Sequence, residues 1–316
     1  MNRKKLLEKA FQRGRLLTVR NKFYRDWIKR FIVDETKADI GTKGDITTNA
    51  VLKDGKRIKA VIYSRSNGIA AGIEEASLLL KDSKIKARQL KKDGAKIKKG
   101  SSLLLIEGHG KDILKMERPI LDILSRMSGI ATLTDSLIKK IKNKVPIAST
   151  RKIEWRYLDK KAVYIGGGLT HRLALWESIL VKDTHLDAIK KEGVKDPVGI
   201  SLERAWKKRK KGIFIEIEVN SKKMAVRAAE KFKELQKKAD KTPCFIMMDN
   251  VKPNKIKEII SELKKKNLYR NILLEASGGI NPGNIIKYAK SNVDVLSLGY
   301  LTHSVKALDI KQKILK

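Results

Sequence analysis

The residues best suited to chemistry lie between positions 149 and 185, in STRKIEWRYLDKKAVYIGGGLTHRLALWESILVKDTH. Thr150, Arg151 and Lys152, then His171 and Arg172, then Lys182 and Asp183, fall where apolar runs stop. Guanidinium and ammonium groups in this number suit carboxylates and phosphates, which arginine grips in bidentate fashion. The glycines Gly166, Gly167 and Gly168 follow the apolar run 162–165, read as a strand, and at such a place they let backbone N–H groups approach an anion. A polyanion pocket is the expectation. Further on, Glu218 and Asp249 offer carboxylates for sugar hydroxyls or a hard cation such as Mg²⁺. Ser277, Gly278 and Gly279 precede a helix expected at Pro282, and Leu298, Gly299 and Tyr300 precede Thr302. Both match the barrel device in which late strand loops and a helix N-terminus cradle a phosphate. A phosphorylated sugar diphosphate is the simplest molecule that needs cations, carboxylates and glycine loops together.

Plainer readings stand beside these. Glu216 and Glu218 lie two apart on one expected strand and share a side, so a solvated pair and an inward pair remain equally open. His171, His185 and His303 lack the spacing of a metal motif and are read as hydrogen-bonding groups. The chain has no G-x-S-x-G elbow, no G-x-x-x-x-G-K-[ST] loop and no G-x-G-x-x-G fingerprint, which argues against a serine hydrolase and a P-loop NTPase.

These groups must be positioned by a chain of 316 residues with 72 Lys and Arg against 35 Asp and Glu, a formal charge of +37. That surplus raises nucleic acid as a partner. Aromatic residues make up only 5%, however, and much of the lysine is scattered through helix-patterned stretches such as 221–241 and 253–267, so nucleic acid is disfavoured. Cys244 is the only cysteine, which excludes an intrachain disulfide and multi-cysteine zinc motifs and suits a reducing compartment. No apolar run approaches the roughly 18 residues of a spanning helix. A soluble cytoplasmic protein is expected, with no membrane partner.

Residues 1–37 form a basic, helix-periodic lead with Leu6, Leu7, Ala10, Phe11, Leu16 and Leu17, then Trp27, Ile28, Phe31 and Ile32. Glu8 and the lack of serine favour a packing helix over a transit sequence. After a glycine-punctuated loop at 38–52, a strand is expected at 56–64 and a helix at 68–80. Residues 95–108 read as two short strands around a Lys-Gly turn, similar to a lipoyl-domain hairpin but purely structural. A helical stretch covers 111–144, interrupted near Ser128 and Gly129, with a domain boundary near Glu117. Beyond it, apolar runs recur at 145–148, 162–165, 179–181, 213–219, 244–248, 272–274 and 293–298, with helical patterns between most of them. That alternation predicts parallel strands with helical crossovers. A closed α/β barrel would bring the charged strand ends to one face; a doubly wound sheet is the alternative.

The ordered set GDITT (44–48), Ala71-Gly72, IEG (106–108), Glu117-Arg118, SGIAT (128–132), TRK (150–152), GGGLTHR (166–172), LVKDTH (180–185), IEIEV (215–219), MMDN (247–250), EASGGI (275–280) and SLGYLTHS (297–304) resembles quinolinate phosphoribosyltransferase. The resemblance covers nearly the whole chain from about Phe31. It implies a mixed α/β N-terminal domain and an atypical seven-stranded α/β barrel of the type II phosphoribosyltransferase kind. The implied divisions are a basic lead at 1–30, a sandwich-like domain at 31–117 that can also receive the C-terminal tail, the barrel at 118–300, and a helix or tail at 301–316. The implied reaction converts quinolinate and phosphoribosyl pyrophosphate, with Mg²⁺, into nicotinate mononucleotide, pyrophosphate and carbon dioxide, a step of NAD biosynthesis.

By motif position, Arg118, Thr150, Arg151, Lys152, His171, Arg172 and Lys182 would bind quinolinate and pyrophosphate. Glu218 and Asp249 would hold the ribose and the metal, with Ser277, Gly278, Gly279, Leu298, Gly299 and Tyr300 around the 5′-phosphate. Lys152, Lys182, Glu218 and Asp249 are the expected catalytic groups. The resemblance further implies a homodimer, or a hexamer of dimers, in which Arg118 enters the neighbour's site. The chain departs from the family pattern in the shortened segment Ile153-Glu154-Trp155-Arg156, at Glu177 in place of Asp, and at Thr184 in place of Asn. A related protein of molybdenum-transport operons, and a nucleic-acid-binding protein on an inactive scaffold, are the competing readings.

Overall fold

The computed structural model describes residues 2–53, 55–236 and 242–316, so the end of the 221–241 stretch lies outside the described residues. By contacts the chain divides into two compact units. The first comprises residues 1–13, 136–153 and 168–303, and the second comprises 14–135, 154–167 and 304–316. Among the described residues no helix is long and apolar enough to cross a membrane.

The first unit is built on parallel strands β6 (Ile147–Ser149), β7 (Ile179–Val181), β8 (Ile215–Val219), β9 (Cys244–Asp249), β10 (Leu273–Ser277) and β11 (Val295–Leu298), ordered β6-β11-β10-β9-β8-β7. Leu169 adds a single parallel bridge to Ala148 beyond β6, which makes a seventh stave one residue wide. Helices α7 (Asp183–Lys191), α8 (Pro197–Lys207), α9 (Lys222–Leu235), α10 (Pro253–Lys265) and α11 (Ile285–Ala289) make the crossovers, as the alternating pattern requires. Ser221 caps α9 by accepting from Met224 N, and Asp196 caps α8 by accepting from Gly199 N, satisfying amides that helix starts leave open.

Alternate residues of each strand face inward. The steps run Phe214, Glu216, Glu218 into β8; Phe245, Met247, Asp249 along β9; Leu273, Glu275, Ser277 along β10; and Val295, Ser297, Gly299 along and past β11. The first member of each set meets Ala148 and Leu169 in one apolar cluster, which a flat open sheet would not allow. Helix α1 (Arg3–Phe11) closes that cluster: Leu7, Ala10 and Phe11, at helical spacing, are buried in it. Phe11 stacks on Phe245 at 4.6 Å and tilts against Phe214 at 5.1 Å. Its truncation to alanine would cost about 3–5 kcal/mol.

The second unit holds the antiparallel sheet β12-β1-β5-β3, from β12 (Ile310–Ile314), β1 (Arg57–Ser64), β5 (Ser102–His109) and β3 (Lys86–Gln89). It also holds the small sheet of β2 (Gly68–Ile69) and β4 (Lys96–Ile97), and helices α2 (Lys22–Ile40), α3 (Ile46–Val51), α4 (Ile73–Asp82), most of α5 (Gly110–Lys140) and α6 (Arg156–Ile165). At its centre the Lys161 ammonium is buried among Glu74, Glu75 and Asp93, and the Tyr24 hydroxyl donates to Glu75 at 2.9 Å.

Several sequence expectations change. The run 162–165 is not a strand but the end of α6, in which every residue from Tyr157 to Val163 is buried. Gly166 ends that helix and packs against α5, where an added Cβ would meet Ala131 O at 2.4 Å; it does not cradle an anion. The helix expected at 68–80 starts only at Ile73, after β2 and a left-handed Gly72. The two strands in 95–108 do not pair with each other: β4 joins β2, and β5 lies between β1 and β3. Helix α5 runs unbroken through Ser128 and Gly129, which are small because neighbours approach closely: Ala71 N donates to Ser128 Oγ, and Lys306 O lies where a Gly129 side chain would begin. Glu117 and Arg118, the expected domain boundary, therefore sit inside one continuous helix, with α1 in the first unit and β12 in the second. The helix expected at Pro282 begins at Ile285.

Candidate active site

At the C-terminal ends of the parallel strands lies a cavity of about 620 Å³. Each stave supplies part of it: Thr150, Arg151 and Lys152 after β6, His171 and Arg172 after the Leu169 bridge, and Lys182 and Asp183 after β7. Glu218 lies near the end of β8, Asp249 and Asn250 at the end of β9, and Ser277 to Asn281 at the end of β10 and beyond it. Ser297 comes from β11, followed by Gly299, with Tyr300 and His303 on the short helix α12 (Tyr300–His303).

Cations and carboxylates interlock here. Lys182 Nζ meets Glu218 Oε1 at 3.0 Å. Burial raises the Glu218 carboxyl, the Lys182 charge opposes that rise, and Asp249 adds to it. Arg172 donates from Nη1 to Ser178 O at 3.0 Å, while burial and the neighbouring Arg151 hold its guanidinium below the usual range. Two arginines held together under partial burial are stabilised by an anion that both can reach. Thr302 Oγ1 donates to Lys152 O at 2.6 Å and fixes that loop.

Two glycines are required by space. Gly278 has φ +86, and a Cβ there would meet Asn250 Oδ1 at 2.4 Å; Asn250 N in turn donates to Ser277 O at 2.9 Å. At Gly299 a Cβ would crowd His303 at 3.0 Å and Lys152 at 3.2 Å. Both turns thus keep backbone open at the cavity wall.

Beneath the cations, His171 sits with φ 54, a conformation uncommon for a non-glycine residue. Its Nδ1 accepts from the Arg172 amide at 2.7 Å, and its Nε2 lies 2.9 Å from Glu216 and 3.5 Å from Glu275. These three are the metal-competent group found among the described residues, whereas His185 Nδ1 accepts from Lys182 N at 2.9 Å. With Nδ1 engaged by an amide, the ring proton stands on Nε2, and a protonated nitrogen is no metal ligand. Burial would lower His171, but Glu216 and Glu275 outweigh it and raise the group to about 9. Burial and Glu275 push Glu216 up to about 8. The Arg172 amide opposes a second ring proton, so we place the cluster's extra proton on the carboxylate side.

Of the residues singled out from sequence, Thr150, Arg151, Lys152, His171, Arg172, Lys182, Glu218, Asp249, Ser277, Gly278, Gly279, Gly299 and Tyr300 line the cavity. Leu298 does not; it is buried in the core between the lining residues Ser297 and Gly299. Arg118 does not either. It lies on α5 in the second unit, 67% exposed and 3.2 Å from Asp122. Met247, Glu275 and Ser297, each two residues inward from Asp249, Ser277 and Gly299, also line the cavity; of these, Met247 is the one the strand-end reading of the sequence did not name.

The family model for the C-terminal domain of quinolinate phosphoribosyl transferase matches residues 130–313, and that for the N-terminal domain matches 45–128. The chain belongs to the quinolinate phosphoribosyl transferase family. A probable nicotinate-nucleotide pyrophosphorylase [carboxylating] of Methanocaldococcus jannaschii is 37% identical over 300 residues, 92% of this chain and 99% of that protein. Its counterpart in Methanothermobacter thermautotrophicus is 36% identical over 292 residues, covering 88% and 95%. The solved nicotinate-nucleotide pyrophosphorylase of Ehrlichia chaffeensis has a TM-score of 0.75 at 31% identity, covering 91% of this chain and 98% of that one. The family matches start at residue 45, so α1 lies outside them.

Proposed function

We propose that the protein transfers the 5-phosphoribosyl group of phosphoribosyl pyrophosphate to the ring nitrogen of quinolinate, with decarboxylation, in NAD biosynthesis. The observation that carries this reading is one cavity in which Arg151, Lys152, Arg172 and Lys182 face Glu218 and Asp249 beside two open glycine turns. Quinolinate brings two carboxylates and the donor brings a pyrophosphate and a 5′-phosphate, an anionic load that four cations and backbone amides match. The names of the relatives favour this substrate over that of the molybdenum-operon protein or a nucleic acid.

In this reading the four cations hold the quinolinate carboxylates and the departing pyrophosphate, and His171 fixes the Arg172 amide through its Nδ1. Glu218 and Asp249 hold the ribose hydroxyls and face the positive charge that develops at C1. Ser277, Gly278, Gly279 and Gly299 receive the 5′-phosphate. The pyridine nitrogen forms the bond to C1 as the bond to pyrophosphate breaks with its electron pair. Loss of the C2 carboxylate as CO2 leaves that pair on C2, which takes a proton. Positioning and electrostatics supply most of the catalysis.

Glu218 and Asp249 are also a fitting donor set for Mg²⁺, which binds one or two carboxylates together with substrate phosphates. Bound there, the ion would neutralise pyrophosphate charge. We further propose a two-fold dimer in which Arg118 serves the partner's cavity. Its support is the exposure of Arg118, and of Leu175 and Trp176 at 69% and 61% in a cleft that shares Arg151, Arg172 and Lys182 with the cavity. The single buried cysteine suits a cytoplasmic setting.

The test is formation of nicotinate mononucleotide from quinolinate and phosphoribosyl pyrophosphate, run beside nicotinate. Turnover of quinolinate alone is expected. Equal turnover of nicotinate would show that the cations do not read the second carboxylate.

A further inference from the structure

Helix α1 does more than fill the barrel floor. Its last residue, Phe11, lies with its ring centroid 4.2 Å from that of His171, at 42°, and Phe214 approaches the same imidazole at 5.4 Å from another side. The residue before His171 is bonded to the end of α1: Thr170 N and Thr170 Oγ1 both donate to Phe11 O, at 3.0 and 2.8 Å. Arg13 N donates to Thr170 Oγ1 at 3.0 Å. Arg13 Nε donates to Glu177 Oε1 at 2.8 Å, and the other oxygen of Glu177 accepts from Leu173 N at 2.6 Å. The segment 170–173 is thus tied on both sides of His171 to the chain leaving α1. At the opposite end Arg3 donates to Asp294 Oδ1 at 2.7 Å and to Tyr269 O at 3.0 Å, so the helix is clamped at both termini.

We propose that α1 is a positioning element of the active site, and that Phe11 holds the His171 imidazole so that its Nδ1 anchors the Arg172 amide and sets the Arg172 side chain toward a substrate carboxylate. Three features carry the step. His171 has a left-handed backbone that its neighbours must hold in place. The Phe11 ring bears directly on the imidazole. The ring nitrogens are engaged by the Arg172 amide and faced by Glu216, so a small rotation would break both arrangements. The segment responsible lies outside the family-matched residues. The inference rests on the reading that Arg172 meets quinolinate.

The test uses the full chain with Phe11→Ala, Phe11→Leu and Arg13→Gln, assayed well below their melting temperatures. Phe11→Ala is expected to raise KM for quinolinate about tenfold, the worth of one charge-assisted hydrogen bond, while KM for phosphoribosyl pyrophosphate stays within about twofold. Phe11→Leu, which refills most of the volume, restores it, and Arg13→Gln moves it in the same direction by less. Equal rises in both KM values, or loss of activity only in proportion to unfolded protein, would overturn the proposal. The chain has 4 histidines, so the His171 imidazole signals can be assigned by substitution in an NMR spectrum. Their ring nitrogen shifts, which report the tautomer and respond little to the loss of a neighbouring ring current, change in Phe11→Ala and return in Phe11→Leu; unchanged nitrogen shifts would also overturn it. Because that readout needs no turnover, it decides the role of Phe11 even if the wild-type protein does not use quinolinate.

Discussion

Lys182 and Glu218 meet at 3.0 Å across the ends of two adjacent parallel strands, with the lysine 45% and the glutamate 12% exposed. The pair joins the cation set to the carboxylate set of one cavity. Removing Glu218 would leave Lys182 to a floppy, solvated position and take away a carboxylate facing the ribose. Glu218→Gln should therefore lower kcat by about 10²–10³-fold, the usual worth of one preorganised electrostatic group. Its melting temperature should fall little, since a half-exposed pair contributes about 0–1 kcal/mol. Steady-state kinetics beside a thermal melt check this, and a large loss of stability with intact kcat would return the pair to a structural role.

Asp249 differs in standing at the end of β9, where its Oδ2 accepts from the Asn250 side chain at 2.8 Å. If it shares Mg²⁺ with the substrate, Asp249→Asn should lower kcat/KM by about tenfold or more. It should also raise the Mg²⁺ concentration needed for half-maximal rate. A Mg²⁺ titration of rate in both proteins reads the second effect separately, and an unchanged midpoint would leave Asp249 with the ribose alone.

The second unit offers a stability test at Lys161, which is 6% exposed among Glu74, Glu75 and Asp93. Lys161→Met leaves buried carboxylates without their cation and should destabilise the protein by about 3–5 kcal/mol at neutral pH. Burial already raises the Glu75 and Asp93 carboxyls. A group whose folded pKa is raised contributes stability below its unfolded value and loses it as pH rises through the folded one. The deficit should therefore shrink as pH falls toward the ordinary carboxylate range and grow toward neutrality. Denaturant melts of both proteins across that window check the sign.

Much of this site could be read from the chain because strand ends announce themselves. Arg151, Lys182, Asp249 and Gly299 each follow an apolar run, and in a parallel barrel such residues must meet. The run 162–165 deceived for a physical reason: four apolar residues before glycine fit a buried strand and a helix end equally well, and only Tyr157 and Leu158 one turn earlier decide for the helix. The true stave, at Leu169, is one bridge long and has no apolar run at all. Glu216 was ambiguous because a period of two gives the shared side but not which side is inward. The docking of Phe11 under His171 joins residues 160 positions apart, and no local pattern encodes that meeting.

Arg118 is the remaining cation of the expected set, and it stands exposed on α5 with Asp122 beside it. A surface ion pair of this kind contributes little to stability, so Arg118→Ala should melt like the wild type. If the arginine nevertheless completes a partner's cavity, that variant loses activity. Lys182→Ala, with its lesion in its own chain's cavity, is inactive as well. Mixing the two in equal amounts and allowing subunits to exchange then separates the arrangements. In a two-fold dimer with shared sites, each heterodimer places both lesions in one cavity and leaves the other intact. Half of randomly paired dimers are heterodimers, so about 25% of wild-type activity should return. Were Arg118 to serve its own chain's cavity, every site would carry a lesion and activity would stay at background. Full activity in Arg118→Ala alone would remove the residue from the site, leaving Arg151, Lys152, Arg172 and Lys182 to carry the anionic load.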